Sequence, residues 1–416
     1  MQKIIKVCKL FVFMVIICSM TGCWDREELE ENAYVIGLGL DRSKYDGKIK
    51  VTMLIANPEV GSLQGGGGST EKPREIISFD ANDFIAAKAT ANSVISRDIS
   101  YELLKVIIVS EDFAKDQDFV PVIFDTLKDK EIRTDTYLAV CKEKAFEYFK
   151  KNKPRMETRP HKYFQFMIKH GIDNGLIPDS TLFRYYSAMD RGTDLFIAMY
   201  TTTEREKNPK FKEEDQYTAG QLNVSGDLDN TQFTGSAVFK NGVMIDKLNG
   251  LETRIVNILD DTTDIKDIIV DMPDPFSDNT KQMAARIMKT KNNKIKMNVR
   301  GDKSKIDITV PLNVVIMSNP SLVNYAQEPK KQQVLKEHIA KNTKSIFEEL
   351  IKKTQTELKG SPYPLSVYAR KYFKTYQEFQ QYNWKKSYPK AELTVKPDIK
   401  IIDLGAQKKV LNKKED

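Results

Sequence analysis

FTGSAVFKNGVMID, residues 233–246, carries the clearest structural signal of this chain. One apolar run ends at Phe239, a second begins at Val243, and Asn241 and Gly242 lie between them. Asn-Gly between two such runs favours a two-residue hairpin turn, because both turn residues must adopt φ > 0. The stretch therefore predicts an antiparallel β-hairpin.

The rest of the second half repeats this strand pattern. Residues 295–299 and 306–310 are apolar stretches on either side of Gly301-Asp302, which predicts a second hairpin. Residues 393–402 predict a last strand. The second half is therefore rich in hairpins rather than in parallel strands.

Two helices are expected between these strands. Residues 328–359 place apolar side chains near one face at helical spacing, and Gly360 and Pro362 follow as stop signals. The next helix carries aromatic rings every three or four residues, so we expect a buried face, although a surface for a partner protein or lipid headgroups is an alternative. These rings belong to Tyr368, Tyr372, Tyr376 and Phe379.

The first half mixes strands and helices. Residues 103–109 are a mainly apolar stretch rich in β-branched side chains, which is typical of a strand buried on both faces. Asn82 is placed to cap a following helix. Further strands are predicted at 33–40, 48–56, 74–79 and 137–140, and further helices at 112–129 and 143–151. Residues 158–190 are also predicted to be helical, with breaks at Gly171, Gly175 and Pro178.

These elements predict a multidomain α+β fold, with mixed α/β content and hairpin-rich sheets against which helices pack. Residues 202–218 are mostly charged and polar, so we place the main boundary there. The predicted division is a signal peptide at 1–22, an N-terminal α/β domain at 23–201, a linker and boundary region at 202–232 and a C-terminal α+β domain at 233–416.

The N-terminus reads MQKIIKVCKLFVFMVIICSMTGC, a lysine-containing leader, an apolar run and small residues before Cys23. This pattern resembles the lipobox of bacterial lipoproteins. The resemblance implies cleavage between Gly22 and Cys23 and attachment of diacylglycerol and an N-acyl group to Cys23. An ordinary cleaved signal and an uncleaved anchor helix are the alternatives, although the apolar run is only about half of the roughly 20 residues that span a bilayer.

Composition argues against a nucleic-acid partner and against an internal disulfide. The formal net charge of the 416-residue chain is +7, and removing residues 1–22 takes away three lysines and no acid. The remaining charge is too weak and too dispersed for a nucleic-acid-binding protein. Cys141 is the one cysteine left after the leader and Cys23, so we expect no internal disulfide and a buried thiol that packs as a small hydrophobe.

No catalytic, cofactor or metal site can be assembled from the sequence. The three histidines lack metal-ligand spacing, and no Gly-x-Ser-x-Gly motif is present. The glycine run at 65–68 lacks the Lys-Ser/Thr of a phosphate loop, and the aspartates at 260–271 lack the spacing of a calcium loop. We therefore expect a protein that is not an enzyme and that needs no cofactor.

Four segments together resemble one family, the C subunits of spore germinant receptors, known as the Ger(x)C family. Their order and spacing match that family from Cys23 to about residue 405, and the third segment is the most specific. The segments are CWDREELE at 23–30 with AYVIGLGLD at 33–41, residues 103–114 ending in SEDFA, GSAVFKNG at 235–242 with LNGLETR at 248–254, and SPYPL at 361–365.

The resemblance implies a fold of several mixed α/β domains and no enzymatic activity. It also implies a lipoprotein that carries palmitate and lies on the outer face of the inner membrane of an endospore-forming bacterium. Its partners would be two integral-membrane receptor subunits, A and B, which together with it sense nutrients and trigger germination.

The most specific segment supports two interpretations. Its turn and the start of the following helix either only fix the fold or also contact a partner subunit. The candidate contact residues are Asn241, Gly242, Asn249, Gly250, Glu252 and Arg254.

Two other classes of exported protein are weighed against this family. A lipid-anchored solute-binding protein of a transporter is the main alternative, but it usually has two lobes with parallel sheets. An exported hydrolase would need a nucleophile or metal site that the sequence does not contain.

Overall fold

The structure, a computed structural model, describes residues 4–6, 31–57, 74–207, 215–277, 281–299 and 303–404. Cys23, the rest of the expected cleavage site and the glycine run at 65–68 lie outside these residues. Helices and mixed sheets confirm the predicted α+β fold.

The first half is built around a nine-stranded sheet with the order β3-β2-β1-β5-β6-β7-β8-β9 and β4 beside β1. The four central strands β1, β5, β6 and β7 are parallel, and the strands next to them on both sides are antiparallel. The strands are β1 (Asn32–Arg42), β2 (Ile49–Ala56), β3 (Arg74–Ala81), β4 (Asp98–Ser100), β5 (Val106–Ser110), β6 (Tyr137–Cys141), β7 (Phe196–Thr202), β8 (Gln232–Lys240) and β9 (Val243–Leu248).

Helices cover both faces of this sheet, because its central strands are apolar on both sides. Along β5, Ile107 and Val109 join one buried cluster, while Val106 and Ile108 join the other. This alternation confirms the prediction of a doubly buried strand. The helices are α1 (Ala86–Ala91), α2 (Glu111–Ala114), α3 (Phe119–Phe124), α4 (Ala145–Lys151), α5 (Pro160–Asp173) and α6 (Leu182–Arg191).

One helix prediction for the first half was too long. The expected helix at 112–129 consists of α2, α3 and a short 3₁₀ turn at Asp125–Leu127. The break expected within 158–190 lies between α5 and α6, where Gly175 adopts φ +70°, although Gly171 lies inside α5. In contrast, Cys141 is fully buried, as expected, and burial raises the pKa of its thiol.

The hairpin of β8 and β9 belongs to the first sheet, although we expected it in the C-terminal domain. β8 pairs antiparallel with β7 and β9 pairs antiparallel with β8. β6 pairs with one edge of β7, and without β8 the backbone groups of the other edge would stay unpaired. Which strand pairs there depends on what lies beside that edge in space, and the local sequence pattern does not determine it. The division of the chain at residues 202–232 stays a prediction.

The second half forms a five-stranded sheet with the order β10-β11-β13-β12, and β14 pairs parallel with the other edge of β13. Alternate side chains of β13 are buried from Ile306 to Ile316, which is the pattern of a sheet packed on one face. The strands are β10 (Ile268–Pro273), β11 (Gln282–Met288), β12 (Lys294–Asn298), β13 (Lys305–Ile316) and β14 (Glu392–Asp403).

The long helix α8 packs on this sheet, contacts β14 and confirms the helix predicted at 328–359. The expected aromatic helix is instead divided into short helices, and Tyr372 and Tyr376 are exposed while Phe379 is buried. The helices are α7 (Gly250–Leu259), α8 (Pro329–Thr356), α9 (Leu365–Arg370), α10 (Tyr376–Tyr382) and α11 (Trp384–Ser387). None of the helices in the described parts of the chain is long and apolar enough to cross a membrane.

One apolar core joins the two sheets. Leu195 and Ile197 of the β7 region and Val238 of β8 belong to the same buried cluster as the side chains of the second sheet. The backbone N–H of Leu195 also donates to the carbonyl of Ser361, at 2.7 Å. The two halves are therefore in direct contact along α6, β7 and the segment after α8.

Candidate partner interface at the junction of the sheets

The predicted turn of the hairpin lies at this junction. Asn241 and Gly242 have φ +53° and +83°, as the Asn-Gly pattern requires. The Tyr185 hydroxyl donates to the Gly242 carbonyl at 3.0 Å, and the Lys385 Nζ donates to Asn241 Oδ1 at 2.9 Å. The turn is therefore held by α6 on one side and by α11 on the other.

Gly242 is required here for space as well as for backbone angle. A Cβ at this position would lie 2.8 Å from Met189 Cε, 3.0 Å from Tyr185 Oη and 3.0 Å from Val120 Cγ2. These atoms belong to helices α3 and α6 or the chain next to them, so the turn packs tightly against the first half.

The start of α7 is fixed by a capping box. The Glu252 backbone N–H donates to Asn249 Oδ1 at 2.9 Å, and the Asn249 N–H donates to Glu252 Oε2 at 2.9 Å. The second carboxylate oxygen of Glu252 accepts from Lys353 Nζ of α8 at 2.8 Å. A Cβ on Gly250 would lie 2.8 Å from the carbonyl oxygen of Asp215. This helix start therefore connects the first sheet to α8.

Arg254 is a buried cation of the same helix. Its guanidinium forms an ion pair with Asp215, and its Nε donates to the carbonyl of Asn174 at 3.2 Å. Burial raises the pKa of Asp215 against the opposing effect of Arg254. The pair thus ties α7 to the end of α5.

Of the six candidate contact residues, only Asn241 is exposed. The turn and the helix start also lie at opposite ends of β9, which is about 20 Å long at the usual rise of a strand. This geometry favours the interpretation that these residues fix the fold. A direct contact of this set with a partner stays a prediction.

The junction contains a groove that the sequence did not predict. It has a volume of about 620 Å³ and lies between α6 and the segment that carries the SPYPL motif and α9. Phe183 on α6 is 64% exposed and Val367 on α9 is 43% exposed, so each wall presents an apolar side chain to solvent. Such side chains in a concave site are typical of a binding surface.

The base of the groove contains a buried carboxylate. Asp194 accepts a hydrogen bond from the Ser366 hydroxyl, while its nearest cation, Arg191, lies 3.9 Å away. Burial raises the pKa of Asp194 to about 7, against the lowering effects of Ser366 and Arg191. This group therefore changes charge near neutral pH at the contact between the halves.

Charged side chains of both signs line the groove. Arg184 donates to Asp179 and Asp260 at 3.1 Å each and to the carbonyl of Thr262 at 2.6 Å, so it holds α6 to the end of α7. Lys371 also lines the groove and is exposed. The groove thus combines apolar walls with a balance of cations and carboxylates, which suits a protein segment with apolar and polar side chains.

The hydrogen-bonded polar groups of the groove hold helices together. Within the described ranges, no group of three or more His, Cys, Asp or Glu side chains is placed to hold a metal ion.

Comparison with known proteins identifies the family. A model of the spore germination protein N-terminal domain matches residues 25–202, and a model of the C-terminal domain of spore germination B3 and GerAC-like proteins matches residues 234–405. The chain belongs to the GerAC-like spore germination proteins. It is a germinant receptor subunit of the C type.

Relatives of this family from Bacillus subtilis (strain 168) match different shares of the chain. Spore germination protein B3 is 20% identical over 95% of this chain and 98% of its own length. Spore germination protein KC is 30% identical, but the match covers 34% of this chain and about a third of that protein. The crystal structure of the GerBC protein superposes with a TM-score of 0.52 at 17% identity, covering 91% of this chain and all of that one, which shows a common fold.

The GerAC-like assignment does not favour the alternative of a transporter's solute-binding protein. The sequence did not predict the groove residues of this chain, above all Phe183, Asp194 and Val367. The available signal was the SPYPL motif, which places two prolines around the buried Tyr363 at the groove. A phenylalanine in a helix gives no comparable signal, because most such side chains are buried.

Proposed function

We propose that this chain is the lipid-anchored, non-enzymatic C subunit of a nutrient germinant receptor, acting with two integral-membrane subunits, A and B, to trigger endospore germination. The observation that carries the proposal is the family match over both halves, which begins at Asp25, two residues after Cys23. The subunit would lie on the outer face of the spore inner membrane.

The anchor is the S-diacylglyceryl, N-acylated Cys23. Eight residues lie between Cys23 and the start of β1 at Asn32, and even a fully extended chain of that length spans only about 30 Å. The folded body would therefore stay close to the bilayer and to its integral-membrane partners. The two acyl chains of the diacylglyceryl group already provide the two signals that stable membrane residence needs, and the N-acyl group adds a third chain.

The groove between α6 and α9 is the proposed contact for a membrane subunit. Its apolar walls fit a segment with apolar side chains, and both halves of the chain contribute to it. A contact that spans both sheets would let the bound partner sense a shift between them. This role needs no catalytic residue.

The test is a pair of surface substitutions in the spore. Phe183→Ser removes the apolar side chain of the groove wall, and Phe166→Ser removes a similarly exposed ring of α5 outside the groove. Because both rings are exposed, we expect normal abundance of both variants on immunoblots. Only Phe183→Ser should abolish the response to this receptor's nutrients while other receptors' responses persist.

Two results would contradict parts of this proposal. Normal germination of Phe183→Ser spores would remove the groove as the contact while leaving the receptor assignment intact. Unchanged nutrient responses in spores that lack the whole chain would overturn the receptor function itself.

A further inference from the structure

A second pocket lies beside the groove and shares part of its wall. It has a volume of about 200 Å³ and is lined by the hairpin turn, the end of α6, the chain that follows α8 and the start of α11. Leu195 and Phe196 line both this pocket and the groove. Three of its lining side chains are lysines, Lys240, Lys359 and Lys385, so we call it the lysine pocket.

Two of these ammonium groups are held in place by uncharged acceptors. Lys240 Nζ donates to the carbonyl oxygens of Leu358 and Lys359, at 3.1 Å each. Lys385 Nζ donates to Asn241 Oδ1 at 2.9 Å. These acceptors orient the ammonium groups without forming an ion pair. Since an ammonium group has three N–H donors, both lysines keep at least one donor for a ligand.

Burial and mutual repulsion act on these cations. The pKa of Lys240 is lowered by burial first, and then by the charges of Lys385 and Lys359. Among the described residues, no carboxylate lies within 4 Å of any of the three ammonium groups. The pocket thus holds like charges close together, and an anionic group placed between them would relieve their repulsion.

The nearby carboxylates do not cancel this charge. In the described parts of the chain, Asp194 is the only carboxylate that lines the pocket, and its buried position favours the neutral form. In the turns next to the pocket, two exposed carboxylates are matched by two exposed cations. These residues are Asp190, Glu357, Arg191 and Lys386. The three lysines therefore leave a net positive charge at the pocket.

Lys359 has a backbone conformation that is unfavourable for lysine. It follows α8 with φ +50°, in the left-handed region that glycine usually occupies after the end of a helix. Residues held in such conformations are frequent at ligand-binding sites. The position therefore favours a role for the lysine side chain beyond ending the helix.

We propose that the lysine pocket receives an acidic side chain of the integral-membrane subunit whose apolar side chains fill the groove. Because the two cavities share the wall of Leu195 and Phe196, one continuous segment can occupy both. Its carboxylate would accept charge-assisted hydrogen bonds from the free N–H groups of the lysines. The inference rests on the proposed receptor function and adds the chemistry of the partner, an Asp or Glu next to apolar side chains.

The test compares the reactivity of lysine side chains in spore membranes with and without the A and B subunits. Reductive methylation labels accessible amines, and mass spectrometry gives the labelled fraction of each lysine, which does not depend on protein abundance. We expect Lys359 and Lys385 to lose most of their labelling when A and B are present. The matched control is Lys336, an exposed lysine of the same helix region near the other end of α8, whose labelling should not change.

Charge variants separate this contact from folding. Lys385→Gln and Lys385→Glu both remove the ammonium group that binds Asn241, but only the second adds a negative charge. Because Lys385 is exposed, we expect normal abundance of both variants on immunoblots of spores. Lys385→Gln should weaken the response to this receptor's nutrients, and Lys385→Glu should abolish it. Lys336→Glu should germinate normally.

Unchanged labelling of Lys359 and Lys385 between the two membranes, or an equal loss at Lys336, would overturn the proposal. Protection that is already complete without A and B would assign the pocket to a lipid headgroup or a small anion, and so would protection of the purified chain by inorganic phosphate alone. Each of these results would leave the receptor function standing, because deletion of the whole chain tests that function separately.

Discussion

The hydroxyl of Tyr185 donates a hydrogen bond of 3.0 Å to the carbonyl oxygen of Gly242, inside the protein. This bond joins α6 to the turn of the β8–β9 hairpin. Residues two apart do not share a helix face, so the same helix can bury Tyr185 while it presents Phe183 to the groove. The position of the groove wall therefore depends on the hairpin turn.

Gly242→Val should destabilise the protein by about 3 kcal/mol or more, because it combines positive φ with overpacking against Met189 and Tyr185. Urea denaturation of the purified chain and its abundance in spores are the measurements. Gly47→Val is the matched control: Gly47 has φ +68° but nothing within 4 Å of an added Cβ, so only the backbone cost of about 1–2 kcal/mol remains. Equal losses for the two variants would show that packing at the turn is unimportant.

Glu111 should contribute to stability at neutral pH and lose that contribution in acid. Burial opposes its ionisation, but hydrogen bonds from Lys115 and Tyr200 and the charge of Lys247 outweigh burial and lower its pKa from 4.5 to about 2. The contribution is present above the unfolded pKa and is lost as pH falls from 4.5 towards 2. Glu111→Gln should cost about 2 kcal/mol at pH 7 and much less near pH 2.

Melting temperatures of Glu111→Gln and the parent chain between pH 2 and pH 7 provide the measurement. The two curves should converge at low pH. A constant gap over this range would mean that packing of the side chain, rather than its charge, stabilises the contact between α2, β7 and β9.

Asp194 should have the opposite effect on the pH profile. Burial raises its folded pKa to about 7 from an ordinary value of 3.8. As pH rises, Asp194 ionises in the unfolded chain before it ionises in the folded one. The free energy of unfolding therefore falls between about pH 4 and pH 7, and the loss of stability is constant above pH 7. The side chain of the Asp194→Asn variant stays neutral, so its stability should not fall over this pH range. At pH 8 the variant should therefore be more stable than the parent chain.

The control for this titration is Asp190→Asn, which changes an exposed carboxylate near the end of α6, four residues before Asp194. It should keep the parent pH profile in thermal denaturation. An Asp194→Asn chain whose stability still falls between pH 4 and pH 7 would assign that titration to another group.

Cys23→Ala should release the protein from the spore membrane or block its maturation. Each buried methylene contributes about 0.8 kcal/mol, so the acyl chains on Cys23 account for most of the membrane affinity that we propose. Membrane fractionation with immunoblotting measures the outcome. Cys18→Ala, within the expected signal peptide, should fractionate normally. A mature-sized Cys23→Ala protein in the membrane fraction would disprove the lipoprotein assignment.

The sequence predicted features that depend on neighbours in the chain. The Asn241-Gly242 turn follows from backbone angles that few residues adopt, and the start of a helix after Asn249-Gly250 was predicted within the same segment. The buried strand β5 and the long helix α8 follow from the period of their apolar residues. The resemblance to germinant receptor C subunits rested on short motifs of this local kind.

Tertiary structure alone decided which sheet the hairpin joins, where the groove lies and which side chains stay exposed. The edge of β7 and the walls carrying Phe183 and Val367 are brought together from distant parts of the chain. Tyr372 and Tyr376 show the same dependence, since their spacing predicted a buried face but the division of the helix left them in solvent. Local spacing sets the direction of a side chain along its own element, whereas burial depends on the elements packed opposite, which no single segment encodes.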